Sequence, residues 1–473
     1  MNDEQLIKIV PSERQLAHQQ LEFYAFIHFT VNTFTGKEWG DGTENPSIFN
    51  PTKLDAEQWV KSICAAGMRG LILTCKHHDG FCLWPSKYTK HSVASSPYKD
   101  GKGDVVKEVA DACKKYGIKF GVYLSPWDRN SILYGQGKAY DDYFICQLTE
   151  LLTNYGEIFS VWFDGACGEG PNGKKQYYDW ERYYAKIREL QPNACISVCG
   201  PDVRWCGNEA GYTRKAEWSV VPERAKDSEI ISENSQKEDD AAFRVRRVDA
   251  RDEDLGSREI LKDEEKLIWY PAEVNTSIRG GWFYHECEDD KVRSLEELMH
   301  IYINSVGGNA TFLLNIPPNK EGLFHENDVK RLEEIGEYIK NMFAVNLLDD
   351  AEIEYDGKHV DCIRNDNYDE SLFGEEGKPF EITIKWEQPV NVGAVVIKEN
   401  IMYSQRVESF CIEAEVDGNY EEIYDGTVIG YKRIVPLENL ETKNLKIKIK
   451  DSRKEPVISY IGVFEKTGQK EDV

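Results

Sequence analysis

The stretch DVVKEVADACKKYGIKFGVYLS, residues 104–125, reads as an amphipathic helix over Asp104–Tyr116 followed at once by a short apolar strand over Lys119–Ser125. The same alternation continues on both sides. Upstream lie strand-like runs at Phe23–Asn32 and Gly70–Lys76, with a helical pattern at Asp55–Ala66 between them. Downstream, runs follow at Ser160–Ala166, Cys195–Gly200, Glu217–Pro222, Trp269–Ser277 and Ala310–Pro317, with helices at Tyr140–Tyr155 and Tyr177–Leu190. Strand and helix repeated to eight strands predict a (β/α)8, TIM-like barrel over residues 1–345, closed by a helix at about Asn327–Met342. From residue 346 to 473 the pattern turns to short alternating strands (PFEITIKW, NVGAVVIKE, SFCIEAEV, NLKIKIK, ISYIGVFE) punctuated by Asp417-Gly418 and Asp425-Gly426, which predicts a separate antiparallel β-sandwich.

Composition narrows the function. Across 473 residues, 58 Lys+Arg against 83 Asp+Glu give a net charge of −25, which argues against partners held by general attraction to polyanions, so neither nucleic acid nor an anionic membrane is expected. Hydrophobic residues at 41% and aromatics at 12% suffice for a packed core. No run reaches the roughly 18 apolar residues of a membrane span. The polar start Met-Asn-Asp-Glu-Gln lacks the pattern of a signal peptide, and the 12 scattered cysteines contain no C-x-x-C pair, so a cytoplasmic location is expected. The charged stretch Glu233–Lys266 reads as a solvated loop and helix region inside the barrel domain.

In a barrel of this kind the reacting groups sit at the C-terminal ends of strands. His28 closes the first run, Glu38 and Trp39 follow in its loop, His77-His78-Asp79 end the second, Tyr123 and Trp127 belong to the third, and Asp164 ends the fourth. A carboxylate at the end of a buried strand, as in VWFDG, is costly unless compensated, which singles out Asp164. Histidines and acids on a barrel rim also raise a metal-dependent hydrolase. Adjacent His77 and His78 start from opposite faces of a strand, however, and no H-x-H occurs, so no metal and no cofactor are expected. Neutral donors, aromatic faces and paired carboxyls suit a sugar better.

The ordered segments FIHF, EWG, KHHDGFCLWPSKYT, GVYLSPWD, VWFDGA, GPDVRWCGNEAG, GGWFYH, NSVGGNATFLLNIPPNKEGLF, QRVESF and IGYKRI resemble the α-L-fucosidases of glycoside hydrolase family 29. The later segments are similar to the branch acting on α-1,3- and α-1,4-linked fucose in Lewis-type glycans. The resemblance implies a retaining exo-α-L-fucosidase whose partner is a fucosylated oligosaccharide or glycan. Asp164 would be the nucleophile forming a covalent fucosyl-enzyme, and Glu209 the acid/base, with Glu217, Glu273 and Glu286 as rivals. The two carboxyls of a retaining pair stand about 5 to 5.5 Å apart. The resemblance further assigns His28, Glu38, Trp39, His77, His78 and Tyr123 to the fucose hydroxyls and ring, and Trp282 to its apolar face. Asp202, Arg204 and Trp205, near Glu209, are expected to contact the rest of the glycan. The C-terminal unit resembles a carbohydrate-binding module, and without an evident triplet of exposed aromatics it is expected to buttress the barrel. Two alternatives remain: a broad-specificity fucosidase active on simple fucosides, and a fucose-binding lectin on an inactive barrel, which would gain nothing from two desolvated carboxyls.

Overall fold

The computed structural model describes residues 1–242, 244 and 254–466. Residues 243 and 245–253, part of the charged stretch 233–266, and residues 467–473 lie outside the described residues.

Eight parallel strands form the first sheet: β1 (Phe23–Ile27), β2 (Gly70–Lys76), β3 (Lys119–Leu124), β4 (Ser160–Phe163), β5 (Cys195–Val198), β6 (Arg204–Trp205), β9 (Ala272–Ser277) and β10 (Ala310–Asn315). Their spatial order is β5-β4-β3-β2-β1-β10-β9-β6. The open seam between β5 and β6 is bridged by the Val198 N–H donating to the Val203 carbonyl at 3.0 Å, so the barrel is nearly closed. Strand periodicity divides the side chains. Phe23, Ala25, Ile27, Leu71, Leu73, Val122, Val161 and Phe163 face the helices in the large core, while Tyr24, Phe26, Ile72, Tyr123, Trp162, Val198 and Leu313 fill the barrel interior. The interior is a packed plug of mainly aromatic side chains, and it forms the floor on which a site can stand.

The helices fall where the pattern places them, and their ends have local causes. Asp55 accepts the Gln58 N–H to start the helix Ala56–Ala65. Asp104 accepts the Lys107 N–H to start Val105–Tyr116, which stops at Gly117 in the left-handed region. Further helices span Lys138–Asn154, Trp180–Leu190, Leu295–Ser305 and Glu326–Met342. Among the described residues, no helix is long and apolar enough to cross a membrane.

The sixth strand differs from expectation. The run Glu217–Pro222 does not enter the barrel: β7 (Val220–Pro222) pairs antiparallel with β8 (Leu267–Trp269) as a small ribbon beside it. The barrel position is taken by Arg204–Trp205, which pairs with Ala272 and Glu273 of β9. Two residues, one of them charged, carry no periodicity to recognise. The apolar run is drawn aside because Glu217 is anchored by Arg204 at 2.5 Å and Arg214 at 3.6 Å, all three buried. The barrel strand after it begins at Ala272, since Trp269 belongs to the ribbon.

The C-terminal strands are β11 (Glu352–Tyr355), β12 (Lys358–His359), β13 (Leu372–Phe373), β14 (Phe380–Glu399), β15 (Val407–Val416), β16 (Asn419–Gly426), β17 (Arg433–Ser452) and β18 (Val457–Glu465). All pair antiparallel in one continuous sheet. The runs PFEITIKW and NVGAVVIKE join into β14, whose pairing with β17 shifts register between Lys385 and Val390 and again between Val392 and Ala394. Such bulges bend a strand. With both halves of β14 contributing, Ile382, Ile384, Val395, Ile397, Ile412, Val435 and Ile461 share one core. This sheet is tied to the bottom of the barrel by buried polar groups: Glu22 accepts from Tyr431 at 2.9 Å and Lys432 at 2.8 Å, and the Tyr431 N–H donates to Asn309 at 2.7 Å.

Candidate active site

The C-terminal ends of the parallel strands open into a cavity lined by Phe26, His28, Trp39, His77, His78, Trp162, Asp164, Val198, Trp205, Glu209, Asn275 and Trp282, among others. Strand ends position most of them: His28 follows β1, Asp164 follows β4, and Trp205 ends β6.

The end of β2 departs from the alternation of faces expected of a regular strand. The β2–β3 pairing shifts register between Thr74 and Lys76, and a turn closed by the Gly80 N–H on the His77 carbonyl follows directly. Both imidazoles therefore face the cavity, their ring centroids 4.1 Å apart. Asp79 is turned away, accepting from the Phe81 N–H at 2.7 Å and the Thr30 hydroxyl at 3.1 Å. His77, His78 and Asp164 each offer an atom within 4.8 Å of the others, a set that could hold a metal ion.

Burial lowers the imidazole pKa values, to about 4 for His28, about 3 for His78 and well below the usual range for His77. At neutral pH these rings are uncharged, so each has one donor and one acceptor nitrogen. His28 Nδ1 is engaged by Asn315 Oδ1 at 2.8 Å and His78 Nδ1 by the Ser125 hydroxyl at 2.8 Å. One nitrogen of His28 and one of His78 are thus fixed by the fold, while His77 Nδ1 is buried without a partner among the described residues, and the arrangement suits an array of hydroxyls.

Asp164 accepts the Tyr123 hydroxyl at 2.9 Å and the Ala166 N–H at 2.9 Å, with His78 Nε2 3.8 Å away. Burial raises its pKa, while the donors Ala166 N–H, Tyr123 and Gly165 N–H pull it back. Glu209 accepts the indole N–H of Trp282 at 3.0 Å. Burial pushes its pKa to about 7, against the Trp282 hydrogen bond and with help from the charge of Asp164. The site therefore holds two carboxyl groups in different environments, one gripped by donors and one poised near neutrality.

The other acids are placed elsewhere. Glu217 is locked between Arg204 and Arg214. Glu273 lies within the barrel, accepting the Tyr24 hydroxyl and the Trp162 indole N–H, the latter at 2.7 Å. Glu286 lines a separate surface depression with Cys287 and Lys320. Asp202 accepts the Ile196 N–H at 2.7 Å and pairs with Arg14 and Arg188, so of the trio Asp202, Arg204 and Trp205 only Trp205 reaches the cavity.

Of the residues expected around the sugar, His28, Trp39, His77, His78 and Trp282 line the cavity. Tyr123 stands behind Asp164 as its donor, and Glu38 stands behind Trp282, accepting its backbone N–H at 2.8 Å. Trp39 meets His78 and Trp127 edge to face, at 5.2 and 5.5 Å. Sequence reasoning passed over Asn275 and Asn315, although a polar residue near the end of an apolar barrel strand was a usable signal. Ser235 and Gln236 also line the cavity, and Arg244 lies 3.3 Å from Glu38, which corrects the reading of that charged stretch as simply solvated.

A (β/α)8-type barrel carrying two carboxyls among neutral imidazoles and indoles at its strand ends defines a glycoside hydrolase. A sequence profile of the α-L-fucosidase family matches residues 12–342. Alpha-L-fucosidase 1 of Arabidopsis thaliana is 40% identical over 476 residues, covering 96% of this chain and 87% of the plant protein. A crystal structure of a putative α-L-fucosidase from Bacteroides ovatus is 45% identical and superposes with a TM-score of 0.87, covering all of this chain and 76% of that one. A Ruminococcus gnavus family 29 fucosidase solved in complex with fucose is 30% identical, with a TM-score of 0.80 over 97% of this chain and 95% of that one. The chain belongs to the α-L-fucosidases of glycoside hydrolase family 29.

Proposed function

We propose that this α-L-fucosidase is a retaining exo-enzyme in which Asp164 attacks the anomeric carbon of a terminal fucose and Glu209 protonates the departing glycosidic oxygen. The observation that carries the reading is the contrast between the two carboxyls. Burial raises the pKa of both, but Asp164 accepts three donors that counter the rise and favour the ionised form a nucleophile needs. Glu209, at about 7, holds its proton near neutrality as a general acid must. After the aglycone leaves, the same Glu209, now ionised, accepts a proton from the water that releases fucose from Asp164. His28, His77 and His78 supply donors and acceptors to the hydroxyls, and Trp39 and Trp282 supply apolar walls. Tyr123 acts through Asp164 and Glu38 through Trp282. An apolar wall also favours the methyl group of fucose over a hydroxymethyl, whose hydroxyl would go unpaired.

The preferred substrates in this reading are α-1,3- and α-1,4-linked fucosides of Lewis-type branched glycans. Supporting it is the likeness of the segments GPDVRWCGNEAG, GGWFYH, QRVESF and IGYKRI to that branch of the family. Residues 346–473 act as a buttress, in keeping with their buried polar ties to the barrel at Glu22 and Asn309.

The test is fucose release from a Lewis-type trisaccharide and from an aryl α-L-fucoside by the wild type, Asp164→Ala and Glu209→Ala. The reading expects the trisaccharide to be the better substrate and both variants to lose it. A preference for the aryl fucoside overturns the linkage, and an active Glu209→Ala on the trisaccharide overturns the acid/base assignment.

A further inference from the structure

The segment GGWFYH, residues 280–285, is wrapped around one carboxylate. Glu38 accepts the Trp282 N–H at 2.8 Å, the Phe283 N–H at 3.3 Å and His285 Nε2 at 2.6 Å. The fit is close enough to dictate a glycine: a Cβ on Gly281 would lie 2.5 Å from Glu38 Oε1 and 2.8 Å from His285 Cδ2. The far end of the same loop reaches the chemistry, because the Trp282 indole donates to Glu209 at 3.0 Å while the Trp282 carbonyl accepts from Asn315. His285 does not line the cavity.

We propose that His285 is a positioning residue for the fucosidase reaction: by clamping Glu38, it fixes the backbone of Trp282 and so holds the indole that orients Glu209. The inference rests on Glu209 being the acid/base. The clamp has the character of a charge-assisted hydrogen bond. The Glu38 hydrogen bond raises the His285 pKa against its burial, Glu288 adds to the rise, and Arg244 opposes it. Glu38 is held ionised: burial would raise its pKa, but His285, Arg244 and the Trp282 N–H together bring it below the usual value. Asp239 faces the same cluster. Without His285 the carboxylate keeps its two backbone donors, so the loop stays attached but loses the contact that fixes its angle. A loosely held Trp282 lets Glu209 turn away from the leaving oxygen while Asp164, held from Tyr123 and Ala166, is undisturbed.

The experiment compares kcat/KM for an aryl α-L-fucoside with a strongly acidic phenol and for one with a weakly acidic phenol, in the wild type, His285→Ala, His285→Gln and Glu209→Gln. A good leaving group needs little protonation, so a defect in the acid shows only on the poor one. His285→Ala is expected to lose about tenfold on the poor leaving group and less than about threefold on the good one, a fraction of the roughly 10²- to 10⁴-fold available to general acid catalysis. His285→Gln, which keeps an N–H donor of similar reach, restores most of the loss. An equal fall on both substrates, or no fall on either, overturns the inference while Glu209→Gln still shows the leaving-group pattern. If Glu209→Gln itself loses both substrates alike, the acid/base reading fails and takes this inference with it. Should His285→Ala not fold, His285→Asn, too short to reach Glu38, gives the same comparison.

Discussion

Replacing Tyr123 with Phe isolates a hydrogen bond that favours the ionised form of Asp164, the proposed nucleophile. The ring is fully buried and stacks on Trp162 at 5.3 Å and on His77 at 5.8 Å, so Phe retains the packing and removes one oxygen. That oxygen donates to Asp164 Oδ2 at 2.9 Å, leaving the carboxylate with the Ala166 and Gly165 N–H groups and a distant His78. A hydrogen bond to a charged group is worth about 1.5–3 kcal/mol. At about 1.4 kcal/mol per unit, its loss raises the Asp164 pKa by about 1–2 units. The sign is fixed: the lost donor favoured the ionised form, so the acid limb of kcat/KM must move to higher pH. In the proposed mechanism the basic limb follows Glu209, which Tyr123→Phe does not touch, so that limb should stay in place and the active range narrows from the acid side alone. Well below the limb, the variant falls a further ~10- to 100-fold behind the wild type. The assay is a kcat/KM profile across pH with an activated aryl fucoside. An acid limb that does not move, or moves to lower pH, refutes the assignment of Tyr123 and Asp164.

Two further outcomes follow from the geometry. Glu22 is buried with Lys432 at 2.8 Å and Lys398 at 3.5 Å; Lys398 keeps its pair with Asp366 at 2.6 Å, but Glu22→Ala leaves Lys432 buried without a carboxylate and should cost about 3–5 kcal/mol in chemical denaturation. Burial opposes ionisation of Glu22, but the lysines and Tyr431 lower its pKa from 4.5 to about 2, so its contribution is complete above pH 4.5 and is lost as pH falls toward 2, a loss the variant should not show. Dialysis against a strong chelator should leave fucoside turnover unchanged, because His77, His78 and Asp164 are assigned to sugar and not to an ion; loss of activity restored by a divalent cation would overturn that assignment.

Much of this was legible in the sequence where periodicity is strong. Seven of the eight barrel strands carry apolar runs long enough to recognise, and His28, His77, His78 and Asp164 follow directly from strand ends. The sixth strand was not legible, because Arg204–Trp205 is defined by its neighbour β9 and by the Arg204–Glu217 pair, neither of which leaves a local pattern. His77 and His78 look opposed in a regular strand, and only the register shift at Thr74–Lys76 turns both inward. The clamp of Glu38 by His285 spans 247 residues of chain and is set wholly by tertiary structure. Ser235 and Gln236 sit in a segment whose charge suggests solvent, yet the fold brings them to the cavity wall.

The most direct test of the account is to trap the enzyme with a 2-deoxy-2-fluoro-α-L-fucosyl fluoride and map the modified peptide by mass spectrometry. The account predicts one added fluorofucosyl group, carried by the peptide containing VWFDGA and located on Asp164. An adduct on any other residue, or none while the enzyme still turns over fucosides, would contradict it.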